Sequence, residues 1–182
     1  MKNNTFSIGM IVMMMVCLFS YAPKAHATVS GQDVANRAVT YVQAKGTKQE
    51  EDRKRTRYSQ EKRYENGYGD CSTFVQNVYT DLGITGLGTY TAEQLMNKKG
   101  TYISSPTFLK EGDLVFFKAP NASSGHAVTL PNGVQTRVSH VGIYIGNLQF
   151  VDLSSSKGTI STRHFSEPNI SGRFIGGKRF IH

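Results

Sequence analysis

The chain has 182 residues, 18 of them glycine, with 38% hydrophobic and 19% charged side chains and a formal charge of +8. That is the composition of one ordinary globular domain, and it excludes a disordered or collagen-like chain. Two cysteines allow one bridge at most, which excludes a miniature scaffold stapled by disulfides.

Lys2 precedes an apolar run from Ile8 to Phe19 broken only by Gly9, and Ala25-His26-Ala27 has the small-x-small pattern of a secretory cleavage site. A bilayer-spanning helix needs about 20 apolar residues, so this run of 12 reads as a signal peptide, and no stable membrane span is expected after its removal. The expected organisation is a signal over 1–27 and one domain over 28–182. The product is expected to be secreted: extracellular, wall-associated, or periplasmic where the source has an outer membrane. Cys17 would leave with the signal, which makes Cys71 the one mature thiol. Such a thiol is an intermolecular bridge, a buried inert group or a reactive one. The basic surplus suits anionic wall polymers, lipid surfaces or nucleic acid, but no motif with interleaved aromatics supports the last, and no nucleic-acid partner is expected.

From Ser30 to Lys45 the residues Val34, Ala38, Tyr41 and Val42 recur at helical spacing, with Ser30 and Asp33 as a capping pair and Gly46 as the stop. Lys48 to Arg63 is dense in charge and reads as a solvated loop or frayed helix. In the next segment Phe74, Val75, Val78, Tyr79 and Leu82 form one apolar helical face ending at Gly83, which places Cys71 at a helix N-terminus. Thr91 and Gln94 signal a third, shorter helix closed by Gly100. After Pro106 the pattern changes to strands over 113–117, 138–145, 150–153 and 173–181. The polar segment from Ala119 to Arg137 reads as an exposed excursion. Helices followed by strands imply an α+β fold, with N-terminal helices packed on an antiparallel sheet or small barrel.

A helix N-terminus favours a thiolate, because its unpaired N–H groups and dipole attract negative charge. A nucleophile of that kind needs a base and a group to orient the base. Of the histidines in 28–182, His182 is terminal, His126 lies in the polar excursion and His164 in a loop before Pro168. His140 opens an alternating strand in which Val141, Ile143 and Ile145 face the core while His140, Gly142 and Tyr144 face the other way, with Gly142 leaving room for a substrate. Asp152 interrupts the next apolar run. A two-residue turn at Asn147-Leu148 would put it opposite Ile143 on the wrong face; a three-residue loop or a bulge puts it opposite Gly142, on the face of His140. Taken singly, Cys71 could be a buried hydrophobe, His140 a surface histidine and Asp152 a loop-edge carboxylate; their conjunction suggests a triad. No metal or other cofactor is expected, since the histidines and the cysteine have no metal-site spacing.

The strings DCSTFVQNVY, EGDLVFF, SHVGIYIGNLQFVD and GRFIGGKRF, in this order, resemble the NlpC-type cell-wall cysteine peptidases over about Tyr58 to Phe180. The resemblance implies a papain-like α+β fold and hydrolysis of peptidoglycan stem peptides, commonly at the link between D-glutamate and a diamino acid. It makes Cys71 the nucleophile and His140 the general base. Asp152 takes the third polar position, where much of the family has His, which implies activity with an altered pH profile. It also assigns Tyr58, Asp70 and Ser72 to the free amino end of the stem peptide and Thr91 to a substrate contact. The alternatives are that Tyr58 anchors the charged loop and that Asp70 or Ser72 caps the helix. The family's aromatic-Gly-Gly segment is replaced here by RYSQEKRYENGYGD, and Thr73 and Thr89 stand where relatives often carry Gly and Arg. The rival readings are a CHAP-type amidase cutting where peptide joins sugar, and a non-catalytic wall-binding module; were the protein a toxin against competitors, an immunity protein would be a partner.

Overall fold

A computed structural model describes residues 28–43, 55–121 and 123–182. The expected signal peptide, Cys17, the stop at Gly46 and residues 48–54 of the charge-dense stretch lie outside these residues.

The first helix, α1, spans Gly31–Gln43 and buries Val34, Ala38 and Tyr41 of its apolar repeat together with Ala35, while Val42 is half-buried. Its start is closed reciprocally: Asp33 Oδ2 accepts from the Ser30 amide at 2.8 Å, and the Asp33 amide donates to Ser30 Oγ at 3.2 Å. Two short parallel strands follow, β1 (Arg57–Tyr58) and β2 (Tyr68–Gly69), neither marked by a sequence pattern. They bring the chain to α2, Cys71–Asp81, which buries Phe74, Val75, Val78 and Tyr79.

The third helix, α3, is Thr91–Met96 and differs from expectation by one position at its start and by several residues at its end. Its cap is Tyr90, and Glu93 Oε2, not Gln94, reaches back to the Thr89 amide at 2.6 Å. Gln94 is instead fully buried and donates to the Ser72 carbonyl at 3.0 Å, tying α3 to the start of α2.

The remaining chain builds a seven-stranded antiparallel sheet in the order β3-β9-β4-β6-β7-β8, with β5 paired to the extended end of β6. The strands are β3 Thr101–Ile103, β4 Leu114–Lys118, β5 His126–Thr129, β6 Gln135–Gly146, β7 Gln149–Leu153, β8 Ile160–His164 and β9 Phe174–Arg179. Three of these were not legible: β3, β5 and β8 are short and half polar, so neither alternation nor an apolar run marks them. The segment read as an irregular excursion is therefore largely a β-hairpin, and His126 and His164 stand on strands instead of loops.

The sheet is covered on both faces. Val141, Ile143, Val151 and Leu153 pack with α1 and α2 residues in one cluster, while Val115, Phe117, Tyr144, Phe150 and Ile170 form a second. The Gly-Asp that leads β4 has a structural explanation: Asp113, 2% exposed, takes a two-point contact from Arg179, Nε to Oδ1 at 2.9 Å and Nη2 to Oδ2 at 2.7 Å, clamping β9 to the start of β4.

Candidate active site

Asp70 is the N-cap of α2. Its Oδ1 accepts from the Thr73 amide at 2.9 Å, and the Thr73 hydroxyl accepts from the Asp70 amide at 2.8 Å, a reciprocal capping box that fixes where the helix begins. Cys71 is consequently the first helical residue, a free thiol that is 7% exposed. The amides of Cys71 and Ser72 stand at the start of the helix, where no i−4 carbonyl inside the helix can receive them. Of the alternatives for Asp70, capping is the one the geometry displays.

His140 and Asp152 meet across β6 and β7. His140 Nε2 lies 2.6 Å from Asp152 Oδ2, and Cys71 is near enough to the imidazole for its side chain and charge to favour the protonated ring. Burial alone would lower the imidazole pKa, but the hydrogen bond to Asp152, the neighbouring Cys71 side chain and the charges of both push it from 6.5 up to about 10. Asp152 is fully buried and is held in turn by Ser161 Oγ on Oδ1 and Arg163 Nη1 on Oδ2, each at 3.4 Å. Arg163, also buried, is itself fixed by Glu167 and Asn169. Neither Ser161 nor Arg163 was found from sequence, because the strand carrying them had no recognisable pattern.

The register that joins the pair comes from a bulge and not from a three-residue loop. Gly146 pairs with Gln149 around the two-residue turn Asn147-Leu148, whose φ angles are 51° and 56°. The pairing then shifts at Ile145, so that Ile143 faces Val151 and the next pair along is Gly142 with Asp152. The expected room at Gly142 is taken up by packing: a Cβ there would lie 2.7 Å from the Phe150 ring and 2.9 Å from the Val151 carbonyl. Glycine is required at that site so that β7 can pack closely.

Cys71 and His140 line a cleft of about 750 Å³ together with Tyr58, Asp70, Ser72 and Thr91, so every residue singled out for substrate contact opens on one space, and Asp152 lies behind His140. Thr91 Oγ1 is 3.6 Å from Cys71 Sγ. Tyr58 has its phenol pushed up to about 12 by burial and by the nearby Cys71 and Asp70 charges, so it is a neutral hydroxyl at physiological pH. His126, expected in a polar excursion, also lines the cleft and is held on β5.

Arg63 is the residue the sequence reading misplaced. It closes the run read as solvated, yet it is 8% exposed. Its Nη1 pairs with Asp70 Oδ2 at 2.8 Å, and its Nη2 donates to the Thr89 carbonyl at 2.8 Å and to Ser72 Oγ at 3.2 Å. The guanidinium also lies over the Tyr90 ring, 4.7 Å from its centroid.

Residues 46–179 match the model of the NlpC/P60 family. Among curated proteins, the chain is 36% identical over 112 residues to the murein DD-endopeptidase MepS/murein LD-carboxypeptidase of Escherichia coli K12, covering 62% of this chain and 50% of that protein. It is 34% identical over 112 residues to the peptidoglycan DL-endopeptidase CwlO of Bacillus licheniformis, covering 62% of this chain and 21% of that protein. The chain thus spans half or less of the length of these relatives. Among solved structures, an NlpC/P60 family protein from Bacillus cereus superposes with a TM-score of 0.60 at 20% identity over 85% of this chain and 41% of that one, a likeness of fold. With most of its length matched and a cysteine, histidine and carboxylate gathered at the head of a helix against an antiparallel sheet, the chain belongs to the NlpC/P60 family.

Proposed function

We propose that this protein is a secreted cysteine peptidase that hydrolyses peptidoglycan stem peptides, at the link between D-glutamate and the diamino acid. The observation that carries the reading is that Cys71, at a helix N-terminus, and His140, hydrogen-bonded to Asp152, line one cleft of about 750 Å³. Membership of the NlpC/P60 family and relatives named as murein and peptidoglycan endopeptidases support the substrate class. The basic composition suits a wall rich in anionic polymer. The apolar N-terminal run and the small-x-small site at Ala25-His26-Ala27 support secretion.

In this mechanism His140 first takes the Cys71 proton, and the resulting thiolate attacks the scissile carbonyl carbon. The developing oxyanion is received by amides at the start of α2, including that of Cys71. The C–N bond breaks as His140 delivers its proton to the leaving amine, giving a thioester and a free amino end. Water then attacks the thioester, losing a proton to His140, and returns the thiol and a carboxylate. Asp152 holds the ring so that Nδ1 faces the sulfur and stabilises the imidazolium between the two transfers.

The test is mass spectrometry of muropeptides after digestion of purified sacculi. Fragments ending in D-glutamate are expected. Released glycan with intact stems would mean an amidase, and sacculi cleared equally by a Cys71→Ala variant would mean that the protein only binds the wall.

A further inference from the structure

The acidic group nearest the nucleophile in the cleft is Asp70, the residue before Cys71. An unpaired carboxylate there would be the natural counter-ion for a substrate ammonium. Its acceptor capacity is largely committed: Oδ1 receives the Thr73 amide and the Ser72 hydroxyl, and Oδ2 receives Arg63 Nη1 at 2.8 Å. The side chains of Arg63 and Asp70 are 9% and 4% exposed, so solvent screens the pair weakly and the guanidinium charge stays local. Ser72 is committed as well, since its proton goes to Asp70 and its oxygen accepts from Arg63. Tyr58 remains a neutral hydroxyl. Across the cleft stands another cation, Arg173, whose donors go to the main-chain carbonyls of Lys118 and Asn169. An ammonium entering this space would approach an anion already matched by a cation. A neutral acylated nitrogen would meet no such opposition.

We propose that Arg63 is a specificity-determining residue that selects stem peptides whose amino end is acylated, as in the intact polymer, over released peptides carrying a free ammonium. The proposal rests on the hydrolase reading above and refines its substrate class. It departs from the expectation, drawn from family resemblance, that Tyr58, Asp70 and Ser72 receive a free amino end. Arg63 acts here by charge, through Asp70, and takes no part in bond cleavage.

The experiment uses two synthetic stem peptides, L-alanyl-γ-D-glutamyl-L-lysyl-D-alanine with its α-amino end free and the same peptide acetylated on that amine. For the unmodified protein at pH 6.5, kcat/KM is expected to be at least tenfold higher for the acetylated peptide. The gap should narrow as pH rises through about 8, where a terminal amine loses its charge. A steric preference for the acetyl group would not respond to pH in this way. Arg63→Gln should move the ratio at least tenfold toward the free peptide, chiefly through KM. Equal cleavage of both peptides, preference for the free amine, or a ratio that ignores pH would overturn the proposal while leaving the hydrolase reading intact. Failure to cut either peptide or purified sacculi would overturn both. The pH series needs no variant, so a ratio that ignores pH overturns the proposal even if Arg63→Gln does not fold, and Arg63→Lys, which keeps the charge, is then expected to keep the wild-type ratio.

Discussion

Asp152 reaches His140 because one residue, Ile145, is extra to the β6–β7 ladder. Without that bulge the tight Asn147-Leu148 turn would set Asp152 opposite Ile143 and aim its carboxylate at the other face of the sheet. With it, the carboxylate lies 2.6 Å from Nε2 and shares the buried wall with Arg163. The third member of the site is thus placed by a local irregularity of the strand, a device suited to re-aiming a side chain beside a reaction centre.

The first prediction concerns that contact. Asp152→Asn removes a carboxylate that helps hold the His140 proton, so kcat on sacculi or stem peptide should fall by about 10²–10⁴-fold. The alkaline limb of the pH profile, which reports loss of the proton His140 gives to the leaving amine, should move to lower pH. An unchanged alkaline limb would mean that Asp152 does not tune the ring.

The same proton affects stability. His140 binds it more tightly in the folded chain, with a pKa of about 10 against 6.5 for the free side chain. Its contribution is therefore complete below about pH 6.5 and is lost as pH rises toward 10. Urea midpoints of the wild type should decline across that window, and those of Asp152→Asn should decline less.

Thiol reactivity tests the other side of the imidazole. Because Cys71 shares a cleft with His140 and stands at a helix N-terminus, iodoacetamide should modify it readily at pH 6. His140→Ala should slow the reaction at least tenfold at that pH without blocking it at pH 9. Equal rates for the two proteins at pH 6 would break the proposed pairing.

Two substitutions examine the frame. Gly142→Ala drives a methyl into the Phe150 ring and the Val151 carbonyl, and should cost about 1–3 kcal/mol in urea unfolding. Leu148→Gly should act in the opposite direction: Leu148 is 45% exposed at φ 56°, a conformation unfavourable to a branched side chain. Asn-Gly is the favoured pair for such a turn. A gain of about 0.5 kcal/mol with unchanged kcat is expected. A loss of stability would show that the Leu148 side chain matters more than its backbone strain.

The helices α1 and α2, strands β4, β6, β7 and β9, and the candidate positions Cys71, His140 and Asp152 were legible because each signal is local: an apolar repeat, a capping residue, a thiol at a helix start, a polar residue breaking an apolar run. The start of α3 was misjudged by one residue, since Glu93 and Gln94 are equally able to close a capping box and only packing sends Gln94 inward. Arg63 was misread for a related reason. A basic residue at the end of a charged run is ordinarily solvated, and only the folding of that segment over the start of α2 supplies the carboxylate, carbonyl and aromatic ring that bury it.

The amino-acid order by itself determined which side chains were candidates, because a thiol at a helix start, an imidazole on an alternating strand and a carboxylate in an apolar run are properties of neighbouring residues. Whether those side chains come together, and which charges line the cleft beside them, was decided by tertiary structure: a bulge at Ile145 sets one face against another, and a contact between Arg63 and Asp70 joins residues whose attraction strengthens once both are withdrawn from water.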